Sequence, residues 1–216
     1  MQSSNKFFLS ILSALTVLSI AFSAAPTTAI VPVTGYTDSG VIVNAAHQLS
    51  VKSLDTFTSS VTNENSYQLT GVYVQDTFAL PVVQQPSGNA GYVSTTSNTL
   101  TQFGMASNYG SVGILAHNYL AGQYFSNMYS GETITLVYGN GSTKNYTVSA
   151  VKEFQALSPS SPYSSFVDVN SSSRTLSSTD LFLSTFGLNG ALVLQTCIAK
   201  NGNSSWGRLF VIAYAS

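Results

Sequence analysis

The sequence predicts an all-β domain, a barrel or a sandwich, on three observations. Short runs rich in Val, Tyr, Thr and Phe recur along the chain, turn residues separate them, and strand spacing prevails over helical spacing. Of the 216 residues, 44% are hydrophobic and Tyr and Phe number 12 each, enough apolar surface for a core of single-domain size. The length fits one ordinary domain plus an export segment.

At the N-terminus, Lys6, the apolar stretch 7–22 and the small residues of 23–29 follow the order of a secretory signal. Cleavage is the expected fate, favoured by Ser10, Ser13, Thr16 and Ser19 within the stretch and by Pro26 behind it. An uncleaved anchor is the alternative, because apolar character resumes at Ile30 and Val31. The expected organisation is a signal segment over 1–29, an N-terminal extension over 30–60 and the folded domain over 61–216. Such a product is exported, either secreted or associated with the cell envelope.

Strands are expected at 40–44, 67–74, 80–83, 112–116, 133–138, 145–152, 192–197 and 207–214. Gly139, Asn140 and Gly141 tolerate positive φ, so the fifth and sixth of these runs form a hairpin. Helical signal is confined to 99–106 and 118–129. In the second, Leu120, Tyr124 and Met128 recur at helical spacing, and Tyr124 and Met128 read as core contacts rather than a cofactor box. The Ser-rich segment 157–180 holds two prolines and no sustained period, which predicts a long loop, either ligand-binding or a surface excursion. The chain shows no solenoid repeat, no heptads and no metal-type Cys/His cluster, and no cofactor is implied.

Only 7% of residues are charged, 7 Lys+Arg against 8 Asp+Glu. There is no basic stripe to neutralise phosphates and no lysine cluster to hold an anionic membrane, so nucleic acid is excluded as a partner class. The surface polarity rests on Ser, Thr, Asn and Gln, as in many wall-associated or extracellular proteins.

With so few ionisable groups, the catalytic inventory is short: one Cys, two His (His47, His117) and two Arg (Arg174, Arg208). A lone cysteine makes no internal disulfide, which leaves a reactive thiol, an intermolecular bridge or an inert buried thiol. A cysteine nucleophile needs a neighbour that adjusts its proton and a donor that steadies the oxyanion. Cys197 closes the apolar run 191–196 and is expected at a strand terminus, with 198–205 as the following loop. Arg208 opens the returning run 208–213, so a hairpin brings it back beside the cysteine. His117 closes the run 112–116. No motif surrounds His47. The sequons at Asn140, Asn145, Asn170 and Asn203 are common by chance in an Asn/Ser-rich chain.

Leu194, Gln195, Thr196 and Cys197, followed about a dozen residues later by Arg208 at the head of an apolar strand, resemble the signature of the sortase family. The stretch 113–118 (GILAHN) resembles that family's strand-ending histidine motif, and Ser130, Gly131 and Glu132 before the run 133–138 resemble its turn into the next strand. The run 80–83 resembles an earlier strand of the same barrel. The likeness covers about residues 70–214, in the family's order of His, Cys, Arg.

This resemblance implies a closed or nearly closed eight-stranded sortase-type β-barrel with one or two short helices. It implies a transpeptidase in which Cys197 attacks the carbonyl of an LPxTG-like sorting peptide of a surface protein and forms a thioester. His117 would serve the leaving and incoming amines, and Arg208 would hold the substrate backbone and the oxyanion. The amine acceptor would sit on a cell-wall precursor or a pilin. Thr196, within the motif, and Arg174, within 157–180, are the implied substrate contacts, Arg174 being otherwise a solvated side chain. An L,D-transpeptidase would carry an arginine almost directly after the cysteine, where Ile198, Ala199 and Lys200 stand here. A papain-like protease would reverse the order of Cys and His. A non-catalytic secreted β-domain, acting as a surface or binding module, is the remaining alternative.

Overall fold

Ser53 starts the first regular element of the computed structural model, which describes residues 51–161, 163–171 and 174–216. The Ser53 hydroxyl accepts from the Thr56 amide and Asp55 lies in the first turn, so helix α1 (Leu54–Val61) is capped and its dipole complemented. Its one buried side chain, Phe57, packs 6.2 Å from the ring of Tyr73, so this helix, assigned above to the extension, lies on the barrel wall.

Tyr73 belongs to β1 (Leu69–Val74), which is followed by β2 (Phe78–Gln84), β3 (Leu100–Phe103) and β4 (Val112–Leu115). Next come β5 (Thr133–Tyr138), β6 (Thr143–Ala156), β7 (Phe166–Asp168) and β8 (Thr175–Leu176), then helix α2 (Ser178–Thr185), β9 (Ala191–Lys200) and β10 (Asn203–Ala215). The strands pair in the order β10-β9-β4-β3-β2-β1-β5-β6, and β6 pairs back onto β10. Eight strands therefore close into a barrel, as the family resemblance implies, and β7 and β8 hang from β6 outside the ring. The pairs β2–β3 and β4–β9 are parallel; the other pairs are antiparallel. The β5–β6 hairpin forms where expected: Gly141 takes φ of 83° and its amide donates to Tyr138 O, while the Tyr138 amide donates to Ser142 O.

Alternation along each strand sorts the core into two clusters. Val72, Val74, Ile114, Ile134, Leu136, Leu192, Leu194 and Val211 fill the barrel. Phe103, Leu115, Phe154, Phe166, Phe182, Phe186, Phe210 and Ile212 form a second, aromatic cluster on its outer wall. No helix among the described residues is long and apolar enough to cross a membrane.

Three local expectations are corrected. The helix expected over 99–106 is the strand β3 followed by a 3₁₀ turn, Gly104–Tyr109. Leu100 points into the barrel and Phe103 into the outer cluster, and a strand buried on both faces mimics helical spacing. The loop expected over 157–180 contains β7, β8 and the start of α2. The helix expected over 118–129 shrinks to a 3₁₀ segment, Ala121–Asn127, although Met128 is buried and Tyr124 packs on the barrel cluster, the core roles read for both. The strand expected at 40–44 and the signal segment lie outside the described residues.

Candidate active site

Strand register sets two of the sequence-selected residues side by side and pairs the strand that leads to a third with the same central strand. In the antiparallel β9–β10 hairpin, Cys197 stands directly opposite Arg208. On the other side of β9, parallel β4 runs in step from Val112 opposite Leu192 to Leu115 opposite Gln195. The Ala116 amide donates to Gln195 O at 3.2 Å, so the ladder continues past the end of β4, and His117 follows in line with Cys197. Neighbouring strands lie about 4.8 Å apart, so Cys197 and Arg208 stand side by side, and His117 comes two residues after the end of the strand on the other side of Cys197. Cys197 and Arg208 share one face. Leu192, Leu194 and Ile198 pack into the barrel, so Cys197 is outward; Leu209 and Val211 are inward, so Arg208 is outward. Leu115, two residues before His117, belongs to the outer cluster.

The strand boundaries differ from expectation. β9 runs three residues beyond Cys197, and β10 begins five residues before Arg208. The cause is the turn at Asn201 and Gly202, with φ of 53° and 76°, a two-residue hairpin connection that lets both strands continue. Near its tip, Lys200 Nζ sits 4.6 Å from the centroid of the Trp206 ring.

His117 is half-buried, and burial holds its imidazole below the ordinary value of 6.5; a backbone hydrogen bond with Val93 opposes that shift in part. Its neutral form therefore prevails at neutral pH. Val93 belongs to the β2–β3 connection, which is organised by Gln85: the side-chain amide donates to Ala90 O and Tyr92 O and accepts from the Gly104 amide. One face of the imidazole stacks on Tyr119, centroids 5.2 Å apart and planes at 23°. The backbone is fixed as firmly: His117 O accepts from the amides of Leu120 at 3.0 Å and Gly122 at 2.9 Å. A side chain at Gly122 would collide with Thr196 Oγ1 and the carbonyl oxygens of Ala116 and His117, so only glycine lets the chain pass this close.

Thr196 faces away from Cys197, into the barrel. It is buried, and its hydroxyl donates to Ala116 O at 2.9 Å, steadying the residue just before His117. Cys197 is a half-buried free thiol. Arg208 is 2% exposed, so solvent and ligands do not reach it in this conformation. Its Nη1 donates to Ser205 O at 3.1 Å and Gly207 O at 2.9 Å, and its guanidinium carbon lies 5.9 Å from the ring centroid of Phe166 on β7. Arg174 is exposed, next to β8, and its charge contributes in a minor way to the low carboxyl value of Asp180. His47 lies outside the described residues. Among those residues no group of three or more His, Cys, Asp and Glu side chains is arranged to hold a metal ion.

No family model matches the chain, and no curated protein matches it. Solved structures similar to it include sortases. Sortase A from Corynebacterium diphtheriae aligns at 15% identity and a TM-score of 0.41, over 68% of this chain and 60% of that one. Sortase C-1 from Actinomyces oris aligns at 12% identity and a TM-score of 0.46, over 74% of this chain and 79% of the other. Sortase A from Listeria monocytogenes aligns at 11% identity and a TM-score of 0.40, over 68% and 86%. The chain thus spans less than two thirds of the Corynebacterium sortase it matches. At such identities the sortase likeness concerns the fold alone, and barrel closure is already established by the strand pairing.

Sequence reasoning missed Val93 and Tyr119 around His117, the carbonyls of Ser205 and Gly207 at Arg208, and Phe166 above it. Only the hairpin extension had a legible signal, the Asn-Gly pair at 201–202. The other contacts join segments remote in sequence or depend on how an irregular turn is shaped.

Proposed function

We propose that this chain is an exported cysteine transpeptidase of the sortase type, with Cys197 as nucleophile, His117 as proton carrier and Arg208 as oxyanion donor. What supports the reading is the register that sets Cys197 opposite Arg208 and pairs Leu115, two residues before His117, with Gln195, two residues before Cys197. The thiol proton passes to the imidazole as sulfur attacks the scissile carbonyl of a sorting-signal peptide, LPxTG-like in kind. The C–N bond breaks, His117 returns the proton to the leaving amine, and a thioester remains on Cys197. An acceptor amine, on a cell-wall precursor or a pilin lysine, then attacks the thioester and gives its proton to His117, and the thiol is restored. An imidazole held below its ordinary value suits the accepting half of this cycle.

Arg208 enters this chemistry only by turning part of its guanidinium from the Ser205 and Gly207 carbonyls to the substrate oxygen, with Phe166 drawn back. Arg174, exposed beside β8, is available to the peptide as it arrives, whereas Thr196 fits support of Ala116. The reading is tested by mass spectrometry of a labelled sorting peptide incubated with an amine. A ligated product from the wild type, absent with Cys197→Ala, is the expected result.

One observation favours a second reading. An arginine buried to 2% under a phenylalanine and bonded to its own hairpin is also what a structural arginine looks like. A secreted β-domain that keeps the barrel as a binding module would leave Cys197 inert to every peptide and amine. In that case Arg208→Lys would change stability with no activity to lose.

A further inference from the structure

The two residues after His117 are arranged to control it. Tyr119 is 58% exposed, yet its ring lies nearly parallel to the imidazole at 5.2 Å. So exposed a tyrosine gains little from burial, and the stacked contact instead restricts rotation of the partner ring. Asn118 reaches in another direction: its Nδ2 donates to Ser204 O at 3.1 Å. Ser204 lies where the β9–β10 register shifts, between Asn203 and Gly207. The next carbonyl in that bulge, Ser205 O, accepts from Arg208 Nη1, and the Ser205 amide donates to Asn203 Oδ1. Asn118 therefore ties the segment carrying His117 to the same irregular turn that holds Arg208.

We propose that Asn118 and Tyr119 are positioning residues for His117: Tyr119 sets the plane of the imidazole, and Asn118 locks its segment to the β10 bulge that anchors Arg208. The proposal rests on the reading of His117 as the proton carrier for Cys197. Proton transfer needs heavy atoms about 2.6–3.2 Å apart, so an imidazole that swings loses rate while peptide binding is unaffected.

The test compares the full chain with Tyr119→Phe, Tyr119→Leu and Asn118→Ala, by carbon–proton NMR of the histidine rings and by steady-state kinetics of peptide transfer. The sequence holds two histidines, so a His117→Gln spectrum assigns the signals. Tyr119→Phe keeps the aromatic face; its His117 ring shifts stay in place and kcat stays within about twofold. Tyr119→Leu moves those shifts and lowers kcat up to about tenfold, with KM unchanged within about twofold. Asn118→Ala broadens the His117 ring signals and lowers kcat about fivefold, the scale of one hydrogen bond. Ring signals that ignore Tyr119→Leu and Asn118→Ala, or a kcat for Tyr119→Leu equal to that of Tyr119→Phe, would overturn the proposal. A wild type that transfers no peptide would defeat the acyl-transfer reading instead. The ring signals alone would then decide: moved by Leu and Ala but not by Phe, they uphold the positioning; unmoved, they reject it.

Discussion

The two faces of β9 are built on different plans. Inward, Leu192 and Leu194 meet the aliphatic side chains of a ring in which every strand has a neighbour on each side. Outward, Ala191 and Val193 lie under phenylalanines carried by β3, β6, β10, α2 and β7, and the same face ends in the half-buried Cys197. The inner face is secured by closure itself, since a barrel leaves no open edge. The outer face depends on a cover that includes strands of three and two residues, β7 and β8. Cys197 and Arg208, on that outer face, are held in register by the barrel, and Phe166 of the cover lies against the buried Arg208.

The largest effect expected from this contrast is on the inside. Leu194 is fully buried in the ring, so Leu194→Ala loses stability toward the upper end of about 2–5 kcal/mol, read from the urea midpoint. A loss below about 1 kcal/mol would show that the interior is not the seat of stability. On the outside, Phe166→Ala costs about 3 kcal/mol and has a second consequence that the inner substitution lacks. It uncovers Arg208, so phenylglyoxal modifies that side chain faster than in the wild type, with the exposed Arg174 as internal standard. An unchanged ratio of the two modification rates would mean that Phe166 is not the cover.

The smallest effect comes from the imidazole. Because burial lowers the folded value of His117, the unfolded chain takes up its proton first as pH falls below about 6.5. Between that point and the lower folded value the unfolded state binds more protons, so stability declines with acidification, and then levels off. Urea midpoints from pH 7.5 to 5 should show this slope in the wild type and lose it in His117→Gln. Parallel curves for the two proteins would contradict the assignment.

The same contrast marks what the sequence made legible. The inner face repeats every second residue, so the runs at 112–116, 133–138 and 192–197 were recognisable, and the glycines around Asn140 fixed a hairpin. The pairing of Cys197 with Arg208 followed from hairpin geometry alone, which is local. The strand that leads to His117 pairs in parallel with the strand that carries Cys197, about eighty residues on, and no local pattern encodes that register. β7 and β8 are too short to carry a period. α2 had a signal in Ser177 and Asp180, which form a reciprocal cap, but it sat inside a serine-rich stretch that obscured it. The burial of Arg208 was beyond reach, because an arginine at a strand head reads as a solvent-facing group until its cover is known.

The most direct measurement of the central claim is the intact mass of the protein after incubation with a library of sorting-type peptides, without amine and with acid quenching. If the row of His117, Cys197 and Arg208 is an acyl-transfer site, one peptide leaves an N-terminal fragment on Cys197 that hydroxylamine releases, and His117→Gln suppresses the adduct. If a methanethiosulfonate labels Cys197 readily but no peptide ever acylates it, the thiol is accessible and the row is not a catalytic site.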